Sequence, residues 1–307
     1  MTVIVRDFRP EDAEAVSRSR RVTVPFMAVT PRSVLFDVET ANPAEKMRLL
    51  VAEKDGEIIG TAYAGIAYDS SDPGQSHATP QVHPGHRGQG AGAMLLRAAE
   101  EHLAAEGATA VYSWVLDEPG SRAFAEKRGY RPTRTAHFQH LDLARAALPE
   151  LPGTLPPGVE LRTAADYEAD PRPMFEADAE ATSDEPSDID TDLDDYEDWL
   201  ATIWNNPLLH RGLSTVVTVD GRVASYTAAY TDGETRYVSG MTGTLRAFRG
   251  RGLAKLAKTD SLRRARAAGF TDAYTSNDGE NGPMLAINKW FGYEICATEV
   301  RHVRTLG

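Results

Sequence analysis

The sequence predicts an α+β protein built twice over: two domains in tandem, each a mixed, mostly antiparallel sheet flanked by helices. Three observations lead there. Residues recur at a spacing of 162, pairing Arg87 with Arg249, Gly90 with Gly252, Gly92 with Ala254, Gly107 with Gly269 and Tyr112 with Tyr274; a fixed register of this kind marks a repeated unit. Each repeat carries two extended runs folded at an Asp-Gly, VAEKDGEIIGTAYA and TVVTVDGRVASYTAAY, the strongest short-range hairpin signal. Between the repeats lies ALPELPGTLPPG, whose four prolines and two glycines can continue neither a helix nor a central strand. The expected divisions are an N-terminal domain over 1–146, a linker over 147–158 and a C-terminal domain over 159–307.

Along each repeat, the openings VIVRDFRPED and VELRTAADYE read as a first strand running into a helical region. The hairpin follows, then a third strand, a glycine loop, a long helix, a strand, a short helix and a last strand. In the first repeat the long helix sets Ala91, Met94, Leu95 and Ala98 on one face and stops near Gly107, a natural helix end. A Gly-Tyr pair closes each short helix, at Gly129-Tyr130 and Gly292-Tyr293, with one residue inserted in the second copy. Helices packed on a mostly antiparallel sheet make the class α+β.

At 307 residues, 41% hydrophobic and 25% charged, the chain can bury two ordinary cores. No apolar run approaches the ~20 residues of a membrane helix, and MTVIVRDFRPED lacks the apolar core of a signal peptide, so a cytoplasmic protein without membrane partners is expected. A single cysteine, Cys296, excludes an internal disulfide and a cysteine-rich metal site, and reads as a small buried apolar residue. The net charge of −12 repels phosphate backbones, which makes nucleic acid a poor partner. Charge is uneven, however: twelve acids fall among the twenty-three positions from Glu176 to Asp198, while Arg246 to Arg266 holds eight Lys/Arg. Monomer and homodimer are both open.

The glycine loops RGQGAG and RGRGLA open the long helices. A helix start offers unpaired N–H groups and partial positive charge to an anion, and glycine lets a phosphate approach the backbone. GQGAGA satisfies the dinucleotide pattern, but GRGLAK breaks it and no Walker lysine follows. The shared Arg-x-x-Gly-x-Gly/Ala is therefore the pattern that carries the chemistry. VHPGHRGQGAGAMLL with AFAEKRGY, and TGTLRAFRGRGLAKLAK with TSNDGENGPMLAINKWFGY, resemble the acetyl-CoA motif and last helix of the GNAT superfamily of N-acetyltransferases, twice over.

The resemblance implies acetyl-CoA as cosubstrate. The strand ending near Val82 or Thr244 would splay from its neighbour to admit the pantetheine arm. The diphosphate would sit on the amides of Gly88, Gln89, Gly90, Ala91 and Gly92, or of Gly250, Arg251, Gly252, Leu253 and Ala254, with Val82, Arg87, Thr244, Leu245, Arg246 and Arg249 as further cofactor-binding residues. An amine of pKa near ~10 must lose a proton to attack, while a thiolate whose acid has a pKa near ~8.5 leaves with modest help, and a strand N–H holds the oxyanion.

Many family members place an acid tyrosine where this chain has Ala125 and Asn288; of the two, only Asn288 can hydrogen-bond a sulfur. The second repeat also offers Arg249, Arg251, Lys255 and Lys258 as positive charge for the phosphates, and Asn277 and Asn281 as polar contacts. Its slot strand reads YVSGMTGT, where the first repeat has Pro80 in place of Thr242. The C-terminal copy is thus expected to be catalytic, and the N-terminal copy mainly structural though able to hold acetyl-CoA. Asparagine also serves caps and turns, a competing account of Asn277 and Asn281.

The acidic stretch reads either as a solvated surface or as the lip of the acceptor pocket, with Asp184, Glu185 and Asp188 as candidates to attract a cationic amine and one of them to serve as base. His77, His83 and His86 cluster beside the first loop, where His83 and His86 straddle a Pro-Gly turn and are expected to be mostly solvated. Trp199, Trp204 and Trp290 are expected in the core or a pocket wall. The expected activity is acetyl transfer to the primary amine of a small cationic molecule, an antibiotic or metabolite. A mycothiol-synthase-like step in the same family and a silent acyl-CoA-binding protein are the alternatives.

Overall fold

The computed structural model describes residues 2–187 and 193–306. In chain order the elements are β1 (Ile4–Asp7), α1 (Ala13–Thr23), α2 (Pro31–Thr40), β2 (Arg48–Lys54), β3 (Glu57–Ile66), β4 (Gln75–Val82), α3 (Ala91–Ala105), β5 (Ala110–Leu116), α4 (Pro119–Glu126) and β6 (Arg131–Asp142). The second repeat follows with β7 (Val159–Thr163), α5 (Arg172–Thr182), α6 (Tyr196–Trp199), β8 (Thr215–Val219), β9 (Arg222–Thr231), β10 (Arg236–Thr244), α7 (Leu253–Ala267), β11 (Asp272–Asp278), α8 (Gly282–Phe291) and β12 (Glu294–Thr305).

The described chain divides into two compact units, 2–136 with 297–306 and 137–187 with 193–296. In unit 1 the strand order is β1-β2-β3-β4-β5, followed by the last residues of β12. In unit 2 it runs β7-β8-β9-β10-β11, with the last residues of β6 beside β11. Of the registered pairs, β4–β5 and β10–β11 are parallel and the others antiparallel. These units depart from divisions drawn at 146 and 159, because the closing strand of each repeat is counted with the other unit. The register from Glu299↔Leu116 to Thr305↔Ala110 makes this concrete for β12.

Both Asp-Gly dipeptides turn their hairpins with the two positive φ angles of a type I′ turn: Asp55 and Gly56 at 53° and 82°, Asp220 and Gly221 at 50° and 78°. Small strand residues let the helices lie close. In unit 1, Leu95, Leu96, Ala99 and Leu103 of α3 bury against Leu50, Ala62, Ala64 and Ala78, while Val16 and Val34 from α1 and α2 pack on Leu49 and Val51. In unit 2, Leu253 and Ala257 of α7 meet Val217, Val219 and Ala224, and α5 and α6 bury Trp199 and Trp204 with Tyr226. The linker carries no helix or strand, but Arg263 and Arg266 of α7 donate to Pro149 O (3.2 Å) and Ala146 O (2.8 Å). One expectation is corrected: Cys296 is exposed, because the first residues of β12 lie open. Trp290, at 48% exposure, lies outside the core.

Candidate active site

In unit 2, β10 stays paired with β11 only from Arg236↔Asp272 to Ser239↔Thr275. Beyond Ser239 the two strands part, and the last five residues of β10 form one wall of a slot. On its other edge β10 shifts register against β9 between Ser239↔Ala229 and Thr242↔Thr227. Three steps on one strand against two on the other is a β-bulge, centred on Gly240 and Met241. A bulge interrupts the ladder and leaves a backbone group unpaired. Two glycines make room here: a Cβ at Gly243 would stand 2.6 Å from Ala181 of α5, and one at Gly240 would stand 2.5 Å from the Tyr230 ring.

After β10 the chain makes a single 3-10 turn, Arg246–Phe248, and enters α7 through Gly252. Gly250 and Gly252 both have φ of 75°, which strains any residue with a Cβ. No atom lies within 4 Å of where a Cβ would stand on either, so the loop faces open space. Leu256 N–H makes the first α7 bond, to Gly252 O (3.1 Å), and the amides before it are those that a helix start leaves without helical acceptors. These residues fit an anion such as a diphosphate. Leu253 contributes only backbone, since its side chain is buried.

The loop arginines have partners of their own. Arg249 Nε donates to Thr244 O (3.0 Å) and its Nη2 to Asp184. Arg246 forks onto Asp184 (2.7 and 3.1 Å), and its backbone N–H donates to Glu180 (2.6 Å). The two guanidiniums hold the Asp184 carboxyl down at about 2. That corrects its candidacy as a base, because a group so reluctant to take a proton abstracts one poorly. Glu185 is exposed, and Asp188 lies outside the described residues.

A carboxyl that the sequence reading missed stands one turn deeper in α5. Asp178 is buried and accepts from Tyr226 Oη (2.5 Å) and Trp199 Nε1 (2.7 Å). Burial raises its pKa, against the lowering effect of those two bonds. Tyr226 borders Gly243, and Tyr230 borders Gly240, which puts this group on the α5 face of the slot strand. Its sequence signal was available: an acid set among the buried Met174, Ala177 and Ala181 of an otherwise apolar stripe.

On the α7 face a chain of polar groups runs from the buried interior to the half-buried Asn277. Lys258 Nζ donates to Asn288 Oδ1 (2.6 Å), Asn288 Nδ2 donates to Asn277 Oδ1 (2.6 Å), and Gln139 donates to the same oxygen (3.3 Å). Lys258 and Asn288 are both fully buried, and desolvation pulls the lysine down to about 7. This corrects two expectations. Lys258 is not surface charge for phosphates, and Asn288 has both ends of its amide engaged. Asn281 caps α8, accepting from Met284 N–H (3.3 Å), the capping role already weighed against a cofactor contact. Lys255 lies over the Trp290 ring, 4.4 Å from its centre, and Arg251 is exposed.

Unit 1 repeats the frame with different contents. β4 leaves β5 after His77↔Tyr112, and the loop keeps Gly88 and Gly90 at φ of 77° and 91° with open space around both. Arg87 Nε reaches Val82 O (3.3 Å), as Arg249 reaches Thr244, and its Nη1 meets Glu118 (2.9 Å). Gln89 accepts from Lys54 (2.7 Å), Ala91 is buried, and Gly92 faces Phe124. Yet β3 and β4 pair without interruption from Ile66↔Ser76 to Gly60↔Val82, through Pro80, so no bulge opens. His77 stacks on Tyr63 and lies 3.3 Å from Glu45. The His83 ring accepts from Gly85 N–H (3.2 Å), closing its turn. Among the described residues no group of three or more His, Cys, Asp or Glu could hold a metal, and no helix is long and apolar enough to cross a membrane.

Known proteins agree with this geometry. The sequence profile of the acetyltransferase (GNAT) family matches residues 19–130. The mycothiol acetyltransferase of Kineococcus radiotolerans is 30% identical over 257 residues, covering 82% of this chain and 80% of that protein. That of Nocardiopsis dassonvillei is 26% identical over 290 residues, covering 87% and 85%. Among solved structures, a tandem GNAT protein from the clavulanic acid biosynthesis pathway superposes with a TM-score of 0.75 at 20% identity, covering 100% of this chain and 99% of that one. A GCN5-related N-acetyltransferase from Sphaerobacter thermophilus does so with a TM-score of 0.71 at 23% identity, covering 99% and 95%. The chain belongs to the GNAT acetyltransferase family, with two copies of the GNAT fold in tandem. It is an acetyltransferase.

Proposed function

We propose that unit 2 transfers an acetyl group from acetyl-CoA to the primary amine of a small cationic molecule. The observation that carries this reading is the coincidence, in one strand, of a parting from β11 and a bulge against β9. The parting gives a thioester arm a slot, and the bulge gives its carbonyl oxygen a free N–H. Acetyl-CoA, when bound, supplies an activated acyl group on a good leaving group. The open amides of Gly250 to Ala254 would hold its diphosphate, with Arg251 nearby, and the splayed residues Gly240 to Thr244 would hold its arm. On the acceptor side Asp178 replaces Asp184 as the carboxyl suited to take the amine proton, its raised pKa being the right direction for a base working near neutrality.

The names of the relatives favour a second, narrower reading. The Nocardiopsis and Kineococcus proteins, matched over four-fifths or more of their length, are called mycothiol acetyltransferases, and the amine precursor of mycothiol is the acceptor that this likeness suggests. Thiol release from acetyl-CoA decides between the readings, measured with that precursor and with a panel of polyamines, aminoglycosides and amino sugars. Saturable release with the precursor alone selects the mycothiol step. CoA binding without release on any amine would overturn both readings in favour of a silent binding protein.

A further inference from the structure

Lysine 258 stands where the 162-residue register puts Leu96 in unit 1, and Asn288 stands at the place of Ala125. Asn277 corresponds in the same way to Val115. Unit 1 therefore packs this part of the same fold with apolar side chains, Leu96 at 3% and Ala125 at 4% exposure, and the polar set in unit 2 is not a requirement of folding. Burying an amine with no counter-charge is unfavourable. Among the described residues the groups facing Lys258 are neutral: the Asn288 amide and the Tyr293 ring, 4.9 Å away. Only one of the three ammonium hydrogens has a hydrogen-bond partner there.

Its placement gives this group a use. Asn277 lies two residues past Thr275, the last β11 residue paired with β10, so the chain Lys258–Asn288–Asn277 ends on the wall of the slot just beyond its fork. An amide has no proton to give, so Asn288 and Asn277 can carry the lysine's charge toward the slot but not its proton. We propose that Lys258, acting through the Asn288 and Asn277 amides, lends positive charge to the sulfur that leaves the acetyl donor and so stabilises it as a thiolate. This deepens the function proposed for unit 2 and rests on it. As the acceptor nitrogen bonds to the carbonyl carbon and the C–S bond breaks, the bond's electron pair goes to sulfur, which departs as a thiolate stabilised by the Lys258 charge. The proton lost by the acceptor nitrogen leaves toward Asp178 and solvent, and the thiolate takes up a proton from solvent once it is released. The thiolate's own charge favours the protonated lysine, which burial alone disfavours.

The test uses the full chain and free CoA, so that no acceptor is needed. The ultraviolet absorbance of the thiolate is followed against pH for CoA alone, CoA on the parent protein and CoA on Lys258→Leu, with CoA affinity and thermal unfolding measured in parallel. Leucine is the residue unit 1 carries at this place, and Lys258→Met serves as the second variant should the first not fold. A lysine charge beside the sulfur favours the thiolate, so the bound thiol should titrate about one pH unit or more below free CoA, roughly a tenfold shift. In either variant that shift should vanish, while CoA affinity measured at about pH 6, where the thiol is protonated in every case, stays within about threefold. Equal thiolate titrations in parent and variant, or no shift in the parent, would overturn the role of Lys258 and leave the slot standing. A parent that binds no CoA would overturn the slot itself and Lys258 with it.

Discussion

The two units share a frame and differ in what fills it. Each has a third strand that leaves its parallel neighbour early and a glycine loop with two positive φ angles opening a fifteen-residue helix. Unit 2 alone adds the bulge at Gly240–Met241, the buried Asp178 between Tyr226 and Trp199, and the Lys258–Asn288–Asn277 chain. Unit 1 has an unbroken ladder through Pro80 and the apolar residues Leu96 and Ala125 in their places. The lesson is that the glycine loop marks the fold while the reaction is written in buried polar residues, since the second set is absent from one copy without loss of the architecture.

The largest effect expected on this contrast comes from matched glycine substitutions. Gly252→Asp should lower acetyl transfer by about a hundredfold or more, close to 3 kcal/mol, by setting a negative charge where a diphosphate belongs, whereas Gly90→Asp should change it by less than about threefold. Both glycines are helix N-caps at positive φ in open space, so each variant should lose a similar ~1 kcal/mol of stability, and thermal unfolding controls for that. Equal losses of activity would erase the proposed division of labour. Next in size, Asp178→Asn should cut kcat/KM for the amine by roughly a hundredfold, within the usual range for a general base, with CoA affinity unchanged by calorimetry.

Giving unit 2 the residues of unit 1, Lys258→Leu with Asn288→Ala, should stabilise the protein. The lysine titrates at about 7 in the fold against 10.5 when free, so the unfolded chain holds more protons between these values, and stability rises as pH rises through that window. The variant's advantage should therefore be fullest below pH ~7, on the order of 2–4 kcal/mol, and shrink toward pH ~10. Denaturant unfolding at several pH values measures it. The smallest effect belongs to Asp184→Asn, which should leave transfer within about threefold at neutral pH, because a general base is expected to matter by a hundredfold or more and this carboxyl is held at about 2 by its arginines.

Much of this was legible in the sequence, and the limits have physical causes. The register of 162 and the Asp-Gly turns gave the tandem α+β fold, because turn chemistry and glycine conformation are local properties. The exchange of closing strands was not legible, since nothing local in β12 distinguishes β5 as its partner. Lys258 was read as surface charge because a helical lysine is usually solvated, although its offset from Leu96 already put it on a buried face. Composition points to the acidic run as a whole and does not single out Asp178 on the apolar face of α5, and it does not show that Arg246 and Arg249 neutralise Asp184.

The most direct measurement is a structure of the full chain with acetyl-CoA bound. The account places the thioester carbonyl at the bulge of β10, the sulfur beside Asn288 and Lys258, and the diphosphate on the amides of Gly250 to Ala254. An acetyl group seated instead along β4 of unit 1, with the slot of unit 2 empty at saturating ligand, would contradict it.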